Sequence, residues 1–181
     1  YVSLVALLDI DAGLLSVDFR ATERTAQLII QVAGRAGRGE HKGDVLIQTL
    51  RPEHPLFQML LEKDYRYFAQ HTLKERQLAQ FPPFRYSMLV RSQARNATEN
   101  LEFLTKIAAQ LRQLAGNHIE IWGPIPAPME RKAGRHQAHL FLQASDRVQL
   151  HMHVNTWWAD VMQQQPRGFR VSLDVDPQEM S

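Results

Sequence analysis

The stretch FPPFRYSMLVRS, Phe81–Ser92, divides the chain. Its paired prolines cannot continue a helix, because each lacks an N–H and drives its predecessor to extended backbone. The residues that follow, Tyr86–Ser92, read as a strand. A helix that stops and a strand that starts within a few residues mark the main boundary, which falls at Phe84.

Downstream, Asn96 with Glu99 predicts a capping box for a helix. Its Leu101, Leu104, Ala108, Leu111 and Ala115 step by threes and fours. Gly116-Asn117 ends that helix. IEIWG (Ile119–Gly123) reads as a strand, GPIPAPMERKAGRHQ (Gly123–Gln137) as a proline- and glycine-rich basic loop, and AHLFLQ (Ala138–Gln143) as a strand. Ser145 or Asp146 caps a second helix with Leu150, Val154, Trp157 and Val161 on one face. One of the adjacent Trp157 and Trp158 then enters the core while the other stays partly exposed. Val171, Leu173 and Val175 alternate with Arg170, Ser172 and Asp174, the period of a half-buried strand. The order is β-α-β-β-α-β, a ferredoxin-like pattern over residues 85–181.

Upstream of the prolines, PLFQMLLEKDYRYFAQHTLKERQLAQ (Pro55–Gln80) predicts a helix in two pieces around Asp64. With RPEHP (Arg51–Pro55) it makes a helical connector over residues 51–84. Residues 1–50 form a strand–helix–strand unit of the α/β kind. YVSLVALLD (Tyr1–Asp9) is an apolar run that reads as a buried strand whose partners lie elsewhere, and Asp9, Asp11 and Gly13 make a turn. A helix carries Leu28, Ile29, Val32 and Ala36 at helical spacing. DVLIQT (Asp44–Thr49) is a second strand, expected to run parallel to the first. The start, without an initiator Met or polar lead-in, reads as that of a C-terminal piece of something longer.

The chain has 181 residues, 44% hydrophobic and 22% charged, the balance of a globular protein. It contains no cysteine, which excludes disulfides, thiolate zinc sites and cysteine nucleophiles here. No apolar run is long enough for a membrane helix. The net charge of +2 comes from residues 81–181, with eleven basic against nine acidic side chains, much of the excess in RKAGRHQAH (Arg131–His139). Such an excess permits nucleic-acid binding without requiring it. His136, His139, His151 and His153 lack a carboxylate or thiolate to complete a ligand set, so no metal site is assigned.

QVAGRAGR (Gln31–Arg38) carries the chemistry. Glycine inside a helix costs about 1 kcal/mol relative to alanine, so two need a reason. On a helix, Gln31, Arg35 and Arg38 share one face, and Gly34 and Gly37 clear space beside it. One amide and two guanidiniums suit a polyphosphate pressed to the backbone. The alternative is a frayed helix end whose arginines are favoured by the helix dipole.

QVAGRAGR resembles motif VI of superfamily 2 helicases. The D-x-D of Asp9–Asp11, D-F-R-A-T-E-R (Asp18–Arg24), PEHPL, KERQLAQFPPF, GPIPAP and the terminal LDVDP are similar to the PriA family, the primosomal proteins N′ of replication restart. The resemblance covers essentially the whole chain. Val17 departs from it where many members have proline, and His136 and Ala138 stand where some carry tryptophan.

The resemblance implies the remnant of a second RecA-like helicase lobe in residues 1–50, followed by an S10-like C-terminal domain that binds DNA and partners. It implies an ATP-dependent 3′→5′ DNA helicase acting on stalled or branched forks in the cytoplasm, at the nucleoid. ATP and Mg²⁺ would be held by an upstream lobe, and zinc by an upstream insertion whose ligands are not in this chain. This chain alone is therefore expected to be inactive. Arg38 would be the arginine finger, with Arg35 and Gln31 in the same cleft and Gly34 and Gly37 letting the helix end approach it. Arg131, Lys132 and Arg135 would contact phosphates of branched or single-stranded DNA. Arg147 and His151 would receive the C-terminal tail of single-stranded DNA-binding protein, and other primosome proteins would also bind. A stand-alone adaptor without ATPase activity is the alternative, and it has no use for the arginines of residues 31–38.

Overall fold

The computed structural model describes residues 4–16, 18–36 and 43–179, and they fall into two compact units, Tyr1–Ala79 and Gln80–Ser181. The first unit opens with β1 (Leu4–Leu7), a short helical turn α1 (Asp11–Leu14), α2 (Ala21–Ala33) and β2 (Asp44–Ile47). β1 and β2 pair in parallel, Leu4 opposite Asp44 and Leu7 opposite Ile47. Asp11 ties the segment after β1 to the segment after β2, accepting from Thr49 Oγ1 at 2.6 Å and Leu50 N at 2.9 Å. The Thr49 hydroxyl holds the Asp11 carboxyl below its ordinary pKa.

Two helices follow, α3 (Pro55–Glu62) and α4 (Tyr65–Leu78). His54 Nδ1 accepts from Leu56 N ahead of Pro55, and Asp64 Oδ1 accepts from Tyr67 N at 2.7 Å. Asp64 thus caps the second helix where the sequence predicts a break. Ile10, Ala26, Ile29, Leu56, Phe57 and Phe68 form the core of the unit.

Two expectations are corrected here. This chain itself covers the opening strand on one side only: Leu4 and Leu8 are 57% and 68% exposed. In a two-stranded sheet only one side is covered, so Leu7 and Ile47 reach the core while their neighbours face outward. On α2 the buried positions are Ala21, Thr25, Ala26 and Ile29, not Leu28, which is exposed.

The second unit comprises β3 (Tyr86–Ala94), α5 (Ala97–Ala115), β4 (Glu120–Lys132), β5 (Arg135–Ala144), α6 (Arg147–Gln164) and β6 (Arg170–Val175), in the predicted order. The strands form one antiparallel sheet, ordered β4-β5-β3-β6. Asn96 caps α5 through Thr98 N and Glu99 N, and Gly116 ends that helix at φ +53°. Asp146 caps α6 through Val148 N and Gln149 N. The core joins Met88, Val90, Leu140 and Leu142 of the sheet to Leu104, Leu111, Leu150, Val154 and Trp157 of the helices. Trp157 is the buried member of the pair and donates Nε1–H to Ile107 O at 2.9 Å. Asn100 locks α5 to two strands, accepting from Ser92 Oγ and donating to Ser92 O and His136 O.

The segment expected as a basic loop is a β-hairpin, which is the third correction. β4 continues through GPIPAP to Lys132 and turns at Ala133 and Gly134, with φ +49° and +75°. Prolines lack the donor a central strand needs, but β4 is an edge strand, and its register shifts fall between Trp122 and Ile125 and between Pro126 and Arg131. An edge with bulges is where a strand tolerates proline.

On the side of the sheet away from the helices the middle of β5 is also covered, while β4 at the edge stays open. There His139, Phe141 and Gln143 are buried, and Gln143 donates to Gln80 O. Burial, aided by the charge of nearby Arg91, pushes the His139 pKa down to about 4. Its folded pKa lies below the ordinary 6.5, so the unfolded chain takes up the proton first as pH falls. Stability contributed by neutral His139 is therefore complete above about pH 6.5 and drains away towards pH 4. The expected loss is on the order of 2–3 kcal/mol between pH 7 and 4. Urea midpoints of the wild type and His139→Leu at both pH values test this, because carboxylate effects cancel in the comparison. Equal losses in the two proteins would contradict a dry, neutral His139.

Candidate functional site

The start of α2 is built by the D-F-R-A-T-E-R stretch. Asp18, 7% exposed, accepts from Arg20 N at 2.9 Å and from Arg24 Nη2 at 2.5 Å. Glu23 pairs with Arg76 of α4, whose guanidinium lies 5.2 Å from the centre of the Phe19 ring. These contacts join D-F-R-A-T-E-R to the K-E-R of α4, and so fix the helix whose far end carries Gln31 and Arg35. Gly13 is required by close approach, since a Cβ there would meet Thr25 Oγ1 at 2.2 Å.

α2 ends at Ala33, with Gly34 as its C-cap. Arg35 N then bonds Val32 O, a tighter turn than the helix itself. Ala36 N bonds the same carbonyl at 3.1 Å, so Arg35 sits in the turn just past α2, about one turn on from Gln31. Both side chains are exposed. Gly34 has φ −69°, and among the described residues a Cβ on it would meet Ile30 O at 3.4 Å and Gln31 O at 3.7 Å. Packing among the described residues therefore does not demand glycine at that position. Gly37 and Arg38 lie outside the described residues.

The hairpin tip gathers the basic residues. Arg131 stands opposite His136 and Lys132 opposite Arg135. Cations directly across a ladder repel, so the pairing is a cost that a bound anion would relieve. Arg131 and Lys132 are exposed, while half-buried Arg135 donates to Gly168 O. His136 and His139 fall on opposite sides of β5. Among the described residues, no group of three or more His, Cys, Asp or Glu side chains could hold a metal ion. No helix among them is long and apolar enough to cross a membrane.

Arg147 opens α6, 3.7 Å from Asp176 and with its guanidinium 5.9 Å from the centre of the Tyr86 ring. Its side chain is 59% exposed. His151 follows one turn later, half-buried, and Val148 and Met152 beside them are 72% and 50% exposed. A guanidinium beside apolar surface can hold a carboxylate attached to an aromatic ring. Sequence reasoning names Arg147 and His151 but misses that apolar wall. It also misses Trp122, which reads as part of an ordinary strand and is in fact 47% exposed.

Residues 77–178 match the family described as the primosomal protein N C-terminal domain. The chain is 42% identical over 99% of its length to a replication restart protein PriA of Haemophilus influenzae, covering 24% of that protein. It is 32% identical over 97% of its length to the Synechocystis protein of the same name, covering 21% of it. For the Bacillus subtilis protein so named the identity is 36% over 82% of this chain and 18% of that one. The chain thus spans about a quarter or less of the length of these relatives.

Proposed function

Because the chain belongs to the PriA family, we propose that it forms the C-terminal part of an ATP-dependent 3′→5′ DNA helicase that recognises stalled or branched replication forks and begins primosome assembly. The observation that carries this is the likeness to replication restart proteins along 99% of the chain, the arginine-bearing first unit included. An adaptor would need only the second unit.

In this reading residues 1–50 are the end of a second RecA-like lobe, residues 51–84 a connector and residues 85–181 a DNA- and partner-binding domain. An upstream lobe would hold ATP and Mg²⁺. Arg38 would stabilise the charge on the transferred phosphoryl group, with Arg35 and Gln31 at the same cleft. Gly34, where an added Cβ meets nothing closer than 3.4 Å among the described residues, would leave room for that cleft to close on the end of α2. Arg131, Lys132 and Arg135 would bind DNA phosphates. Arg147 and His151, with Val148 and Met152, would take the C-terminal tail of single-stranded DNA-binding protein.

Gly34→Ala tests the cleft in the intact protein. Its backbone conformation accepts alanine, so stability should rise by about 0.4–1 kcal/mol. DNA-stimulated ATP hydrolysis should nevertheless fall about tenfold or more, because displacing groups at a reacting centre by a fraction of a methyl group is severe. A variant that melts no lower and turns over normally would show that nothing docks at Gly34.

A further inference from the structure

The outward side of β4 has an arrangement that phosphate contacts alone do not use. Trp122 is 47% exposed, yet its ring is held in place. It lies edge-on to Phe81, with centroids 6.4 Å apart, and tilted against Phe141 at 5.7 Å. Ile125 and Met129 of the same strand are 56% and 57% exposed. A large aromatic surface left in water but pinned from behind is a preorganised contact surface.

Trp122 pairs with Phe141, Ile125 with His139 and Lys132 with Arg135. Those β5 partners are separated by even numbers of residues, so all three pairs lie on one side of the sheet. The six steps from Phe141 to Arg135 span about 20 Å, the reach of a few nucleotides of extended strand. Pro124, Pro126 and Pro128 leave edge strand β4 short of backbone donors, which disfavours a peptide adding to the sheet there. What remains is a side-chain surface with an aromatic plane at one end and paired cations at the other. That complements a chain of flat bases on a polyanionic backbone.

We propose that Trp122 is a stacking platform for single-stranded DNA, which runs along β4 to phosphate contacts at Lys132 and Arg135. This rests on the nucleic-acid reading of the hairpin tip. Bases in a blunt duplex are already stacked on one another, so the platform discriminates unpaired strand from duplex.

The test measures binding of the intact protein to three probes: a short oligo-dT, an abasic oligomer of the same length, and a blunt duplex. Wild type, Trp122→Ala, Trp122→Phe and the alanine triple variant of Arg131, Lys132 and Arg135 are compared, with melting temperatures as the folding control. Trp122→Ala should weaken oligo-dT binding roughly five- to hundredfold and leave the abasic and duplex probes unchanged. Trp122→Phe should recover most of the loss. If Trp122→Ala binds oligo-dT like the wild type while the triple variant is weakened, the platform is wrong and the basic tip stands. Equal weakening on all three probes by Trp122→Ala would assign the residue to the fold or to a protein partner instead, and would also overturn the platform. Should Trp122→Ala melt early, Trp122→Phe and the wild-type preference for oligo-dT over the abasic oligomer decide, and no such preference sinks the proposal. A triple variant that binds every probe normally would remove the tip reading on which the platform depends.

Discussion

Replacing Arg38 by alanine in the intact protein is expected to lower ATP turnover by about 10³–10⁵-fold, the range attributed to arginine fingers in well-studied NTPases. DNA affinity should remain near wild type, because the arginine acts on charge that develops in the transition state. Arg35→Ala should also lower turnover. Arg35 sits in the turn after α2 with its side chain exposed, and α2 itself is held by the Asp18–Arg24 and Glu23–Arg76 ion pairs. A guanidinium presented from a braced helix end can be aimed at a phosphate supplied by another part of the protein. Steady-state hydrolysis with saturating DNA reads the effect directly. Unimpaired turnover in Arg38→Ala would show that another group neutralises the phosphoryl charge.

Converting Arg131, Lys132 and Arg135 together to alanine should weaken fork binding by a similar factor for all sequences and flatten its salt dependence. Every phosphate that goes unneutralised lowers the slope of log affinity against log salt by about 0.9. Three such phosphates predict a change of about two to three units, the lower value applying if Arg135 keeps its bond to Gly168 O. Removing the cations relieves the repulsion across the hairpin but also loses the Arg135 bond to Gly168 O, so melting temperatures are compared alongside. Binding isotherms at several salt concentrations give the slope. An unchanged slope would leave the tip as a solvated turn.

The second unit is legible in the sequence where local rules act alone. Asn96 and Asp146 sit at their caps, the buried stripes of α5 and α6 fall at the predicted steps, and β6 alternates from Arg170 to Leu173, although Val175 is exposed rather than inward. GPIPAP misleads because proline signals a loop in most local contexts, and only the edge position of β4 permits a strand there. The end of α2 reads as longer than it is, since Ala36 and Arg35 keep helical spacing in the sequence while the backbone tightens after Gly34. The pairings that turn D-F-R-A-T-E-R and K-E-R into one brace join residues more than fifty positions apart, Glu23 and Arg76 among them, and no periodicity reports such pairs. Candidate residues for phosphate and partner binding can be named from their types and from the family resemblance. The exposure of Trp122, Val148 and Met152 cannot, because apolar residues in strands and helices read as core until the packing is known.

The most direct test of the central claim, that residues 1–50 supply the arginine half of an ATP cleft completed upstream, is fork-stimulated ATP hydrolysis by the purified 181-residue chain beside the intact protein. Turnover is expected from the intact protein and none from this chain, because two arginines without a phosphate-binding lysine or Mg²⁺ ligands make only half of a site. Measurable fork-stimulated turnover by the 181-residue chain alone would contradict it.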